Sequence, residues 1–139
     1  MEDPHDLQRF VGAQAPVYGR VRRELRAGRK ESHWMWFVFP QVAGLGRSPT
    51  SVRYAIGSLA EAKAYLAHPI LGPRLEECAR LALDAEGRTA RDIFGPIDEM
   101  KFRSSLTLFA EAAPASSVFA QCLDKYFGGE RDPATLARL

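Results

Sequence analysis

The residues best equipped for chemistry fall in two stretches of the chain. In the first, Gln41-Val42-Ala43-Gly44-Leu45-Gly46-Arg47-Ser48 follows directly on an aromatic block. Gly44 and Gly46 let a backbone approach a ligand closely. A helix starting at Ser48-Pro49 would present unpaired amides and a positive dipole to an anion, with Arg47 adding charge. Gly-x-Gly without a preceding parallel strand is a weak dinucleotide signal, so these glycines also read as a plain turn. His33 and Gln41 are the polar residues most out of place beside the aromatic block, and if buried they would need hydrogen-bond partners from the protein or from a ligand. Trp34 and Trp36 could stack on a base or nicotinamide ring, although core packing is the commoner use of tryptophan. The second stretch is Lys101-Phe102-Arg103-Ser104-Ser105. Ser104 interrupts an apolar stripe through Met100 and Leu108, so it either bonds the carbonyl one turn back or faces a cavity. Lys101 and Arg103 beside it could complete a cationic pocket.

Other chemistries lack their residues. No Ser/His/Asp order or carboxylate pair accompanies these stretches, which leaves acyl transfer and glycoside hydrolysis without support. The three histidines are scattered, there is no CxxC, and neither a metal nor a cofactor is expected. Cys78 and Cys122 sit on apolar helix faces and are expected to be reduced and buried.

The elements that must position these residues are marked by caps, first-turn prolines and stop glycines. A first helix runs from Asp6 through Leu7, Phe10, Val11 and Gln14. A second begins at Pro16 and stops at Gly28, burying Val17, Val21 and Leu25. Ser48-Pro49 opens another, ending at Gly57. Ser58-Leu59-Ala60-Glu61 reads as a capping box in which hydroxyl and carboxylate satisfy each other's backbone donors. Its helix ends near His68, and Pro69 or Pro73 starts one that Gly87 terminates. Thr89 to Asp92 resembles a second capping box. A helix from Pro96 runs to Pro114, Val118 to Phe127 forms the cleanest amphipathic pattern, and Asp132-Pro133 caps a last helix over Ala134 to Leu139. Ser32 to Gln41 is apolar on all sides and too short for periodicity to separate strand from helix. Ser32 as a cap favours a short helix, placed at the centre with both faces covered and with Trp36 in the core.

The expectation is an all-α, compact single-domain bundle of about seven to eight short helices over residues 1–139. Composition agrees, with 46% hydrophobic and 26% charged residues and a net charge of +2. Residues 1–6 are acidic and lack the basic and apolar regions of a secretory signal, and the longest apolar run, Trp34 to Pro40, is too short for a bilayer. The expected location is the cytoplasm, with no membrane partner. One local excess stands out, six cations against one anion between Arg20 and Lys30, which reads either as a solvated helix face or as a polyanion site.

His33-Trp34-Met35-Trp36, Phe39-Pro40-Gln41, Gly44-Leu45-Gly46-Arg47-Ser48, His68-Pro69, Leu71-Gly72, Arg103-Ser104-Ser105 and Tyr126-Phe127-Gly128-Gly129 together resemble the bacterial domain of unknown function 1810 family. The likeness spans the chain from Asp6 onward. It implies a compact, mainly α-helical domain and no particular activity.

Three functions follow as expectations. The first is a small-ligand domain that binds, and in a stronger form hydrolyses, an anionic nucleotide-like metabolite, with His33, Trp36, Gln41, Gly44, Gly46, Arg47, Ser48, Lys101, Arg103 and Ser104 as its ligand-binding residues. The second is nucleic-acid or polyanion binding through the basic helix 20–30. The third is a protein-interaction module exposing aromatics of the Trp34 to Phe39 block.

Overall fold

Nine helices hold 62% of the residues in a computed structural model that describes residues 3–139. They are α1 (Gln8–Gln14), α2 (Tyr18–Arg26), α3 (Met35–Val38), α4 (Pro49–Arg53), α5 (Leu59–Ala67), α6 (Leu71–Asp84), α7 (Ala90–Ala112), α8 (Val118–Phe127) and α9 (Pro133–Leu136). The fold is all-α. Among the described residues the one extended pairing is a parallel bridge between Val42 and Ile56. No helix among them is long and apolar enough to cross a membrane.

Helix α7 organises the rest, with α5, α8 and α9 packed along it and α6 closing the far side against α2, α5 and α8. Its buried face carries Phe102, Leu106 and Phe109 into one contiguous apolar core. Phe102 meets Phe94 at 4.4 Å and Phe39 at 5.0 Å between ring centroids, and Phe109 meets Tyr65 at 5.3 Å. The separate starts expected at Thr89 and Pro96 are both present, because α7 consists of two helical stretches that meet at a non-helical kink at Gly95. There φ is +81°, a left-handed value that a side chain would resist, and Pro96 brings no amide to bridge the break.

Local capping signals were met where nothing else competed for the side chain. Thr89 and Asp92 form the full reciprocal box, at 3.0 and 2.9 Å. Ser48 accepts from the Ser51 amide and Ser58 from the Glu61 amide. The Glu61 carboxylate does not close its box, however; it takes the Gly57 amide and the Arg9 guanidinium instead. Arg9 also donates to the carbonyls of His5, Asp6, Arg53 and Ala55, clamping the N-terminal turn to the α4–α5 junction. Helix α1 starts at Gln8 rather than at Asp6, and the Asp3 carboxylate receives the Leu7 and Gln8 amides at its head. Asp132 heads α9 without capping it, and that helix ends at Leu136.

The aromatic block forms a single turn, α3, and Ser32 does not cap it. The Ser32 hydroxyl and amide instead donate to Glu24, as do the Glu31 amide and the Trp34 indole. Trp34 is therefore the buried tryptophan, 1% exposed, while Trp36 and Phe37 are half-buried and His33 is exposed. The expectation that both faces of the segment are covered, with Trp36 in the core, is corrected accordingly: Glu24 rotates the turn so that the indole of Trp34 points inward. Cys78 and Cys122 are free and buried.

Candidate functional site

The loop after α3 is held by two backbone hydrogen bonds, Ile56 N–H to Gln41 and Ala43 N–H to Ile56. This places Gln41, Leu45 and Gly46 opposite the outer face of α7. Between them lies a depression of about 540 Å³, walled by Leu45, Pro96, Ile97, Met100 and Ala134. Gln41, Arg91, Lys101, Ser104 and Asp132 supply its polar groups. A narrow slot with about 10 Å³ of space, room for one water, adjoins it behind Trp36, Ser51 and Tyr54 and shares Gln41, Gly46 and Lys101 with it.

Ser104 is buried at the base, its hydroxyl 2.8 Å from an Asp132 carboxylate oxygen and 3.1 Å from the Met100 carbonyl. The stripe position thus both bonds the preceding turn and faces a concavity. Asp132 is fixed further by the Thr135 hydroxyl, while its amide donates to Thr107. Burial raises the Asp132 pKa, but the Thr135 and Ser104 hydroxyls and the α9 amides facing the carboxylate outweigh this and leave it below the usual carboxylate range. Asp132 is consequently ionised at neutral pH and a weak base.

Lys101 stands on the boundary between depression and slot, its ammonium 5.3 Å from the Trp36 ring centroid. It shares Asp98 with Lys30, at 4.0 and 2.9 Å respectively. One carboxylate serves two ammoniums, so positive charge is left over at Lys101. Arg91 at the rim pairs with Glu99 at 3.1 Å.

Of the residues selected from sequence, Gln41, Gly46, Lys101 and Ser104 come together in the depression, with Trp36 across the slot. The other five do not line it. His33 is exposed and lines neither cavity. At Gly44 φ is +96°, and the Arg138 guanidinium packs where a side chain would stand, so this glycine serves a turn. Arg47 and Ser48 are exposed, and the Ser48 hydroxyl is spent on a helix of five residues. Arg103 donates to the carbonyls of Glu130 and Arg131, pinning the loop before α9. Asp132, Ile97 and Arg91 were not foreseen as site residues. Asp132-Pro133 reads as a cap, and Ile97 and Arg91 as ordinary helix surface.

Among the described residues no group of three or more His, Cys, Asp or Glu could hold a metal ion. The family described as "Protein of unknown function (DUF1810)" matches residues 4–139. The chain belongs to this family. A crystal structure of another protein, the conserved hypothetical protein Rv1873 from Mycobacterium tuberculosis, is 59% identical in sequence and superposes with a TM-score of 0.97, over 99% of this chain and 98% of that one. A comparison with curated proteins gave no match. The DUF1810 fold is thereby shown, and since fold does not imply function, activity has to be argued from the depression itself.

Proposed function

We propose that the domain binds a small, partly apolar anion, nucleotide-like in joining a flat body to a charged end, in the depression between α7 and the 41–46 loop. The observation that carries this is the exposure of Ile97 and Met100, 72% and 71%, on the wall of the same concavity that holds Ser104, Asp132 and Lys101. Large apolar side chains around a recess with a few convergent polar groups are the usual lining of a small-molecule site. The flat body would lie against Met100, Ile97 and Leu45, the amide of Gln41 would select its edge, and the unneutralised charge at Lys101 would take the anionic end. The proposal is one of binding. Hydrolysis would need a base, and Asp132 is held weak by its hydrogen bonds, with no histidine in the depression.

Free, buried cysteines suit a reducing compartment, and we place the protein in the cytoplasm, where such metabolites are dilute and diffusible. The interaction-module reading is less well supported, because Trp34 and Phe39 are buried rather than displayed.

The test is calorimetric titration and thermal shift with the four ribonucleoside monophosphates, the free nucleosides and inorganic phosphate. At one hundred times Kd, a bound monophosphate adds about 2.7 kcal/mol, or roughly 9 °C in Tm. Lys101→Gln should remove the response to the monophosphates, Met100→Glu should remove it by occupying the apolar wall, and Arg47→Ala should leave it intact. No response from the native chain to any of these compounds ends the nucleotide reading.

A further inference from the structure

The basic run does not form a continuous cationic stripe. Arg22 Nε lies 3.2 Å from Glu77 and Lys30 Nζ 2.9 Å from Asp98, so two of its six cations are neutralised by the fold. Arg26 is exposed and does not line the cleft that the other three share. The remaining three, Arg20, Arg23 and Arg29, converge on a cleft of about 430 Å³, and there they are joined by Arg88 from the α6–α7 loop. The Arg88 side chain lies across Gly28, its Cγ at 3.3 Å from where a Cβ would stand. Among the described residues, Arg20, Arg23 and Arg88 have no carboxylate within salt-bridge distance; Arg29 has Glu31 at 4.0 Å. The cleft's other acid, Glu24, turns its carboxylate to the Ser32, Glu31 and Trp34 donors.

We propose that this cleft is a second binding site, for a compact anion bearing two or more phosphoryl groups, gripped by Arg20, Arg23, Arg29 and Arg88. Guanidinium forks match phosphate oxygens two at a time, and a concave wall focuses the field of like charges that would otherwise repel one another. Four guanidiniums against two carboxylates leave an excess that a single monoanion would not balance. A nucleic-acid duplex is the poorer fit. Its phosphates run in a line and call for an extended basic surface, whereas this one is broken by Glu77 and Asp98 and folded into a recess.

Titration calorimetry of the full chain with tripolyphosphate, at physiological ionic strength, tests the proposal. The expected result is saturable binding at one site. Arg88→Gln and Arg23→Gln should each weaken it about tenfold, the loss of one charge-assisted bond. Arg26→Gln removes the same charge outside the cleft and should change it less than about twofold. Lys101→Gln should bind tripolyphosphate as the native chain does, so that this site and the α7 depression stand or fall separately. The proposal is overturned if Arg26→Gln weakens binding as much as Arg88→Gln, if tripolyphosphate does not saturate, or if an RNA duplex binds more tightly and tripolyphosphate fails to displace it.

Discussion

The Glu24 carboxylate accepts from the Glu31 amide at 2.8 Å, the Ser32 amide at 3.0 Å, the Trp34 indole at 2.9 Å and the Ser32 hydroxyl. Burial would raise its pKa, but these donors prevail and bring it down to about 2. In the unfolded chain it returns to the ordinary glutamate value, so its stabilisation is complete above about pH 4.5 and is lost as pH falls toward 2. Allowing for the wet side of the cleft, the contribution is on the order of 2 kcal/mol. Glu24→Gln should destabilise the protein at pH 7 and flatten its acid-unfolding profile between pH 4.5 and 2, measured by denaturant midpoints across that range. The residue was legible in part. It lies three positions after Val21 and next to Leu25, both buried, so it borders the inward face of α2. What sequence could not supply was its partner, since Ser32 and Trp34 reach it only after the chain reverses. At Cys78 and Cys122, burial pushes the thiols up to about 12. The reactive species is the thiolate, so a bulky maleimide at pH 8 should label neither cysteine until denaturant is added.

At the scale of elements, caps were readable where a side chain answers only its own backbone, as at Ser48, Ser58 and Thr89. They misled where another partner, acceptor or donor, competes for the side chain. Ser32 turns to Glu24, the Glu61 carboxylate to Arg9 and Gly57, and Asp132 to Ser104 and Thr135. The α5–α6 crossing is a sharper test of packing. A Cβ at Gly72 would fall inside the van der Waals shell of the Leu66 carbonyl oxygen, and that atom belongs to backbone and cannot swing aside. Gly72→Ala should therefore cost about 3 kcal/mol in chemical denaturation, although alanine ordinarily favours a helix. At Gly12 in α1 nothing lies within 4 Å of the same added atom, and Gly12→Ala should stabilise by up to about 1 kcal/mol.

For the molecule as a whole, helix content followed from punctuation, but which tryptophan fills the core did not, because Trp34 and Trp36 stand two apart in a segment without periodicity. Trp34→Ala should lower stability by roughly 3–5 kcal/mol and Trp36→Ala by clearly less, reversing what the sequence suggests. The depression was half legible. Polar intrusions at Gln41, Lys101 and Ser104 signalled it, while its apolar wall lay hidden in what reads as plain helix surface. Arg9 has a consequence of a different kind. Its guanidinium joins the turn at His5 and Asp6 to Arg53, Ala55 and Glu61, partners up to 52 residues away in sequence. Neither side can lift off without stranding this charge against the other, so the two should open as one cooperative unit. The amides of Leu7 and Gly57 would then exchange their hydrogens with a common opening free energy in the native chain, and Arg9→Met would let each fluctuate at its own rate.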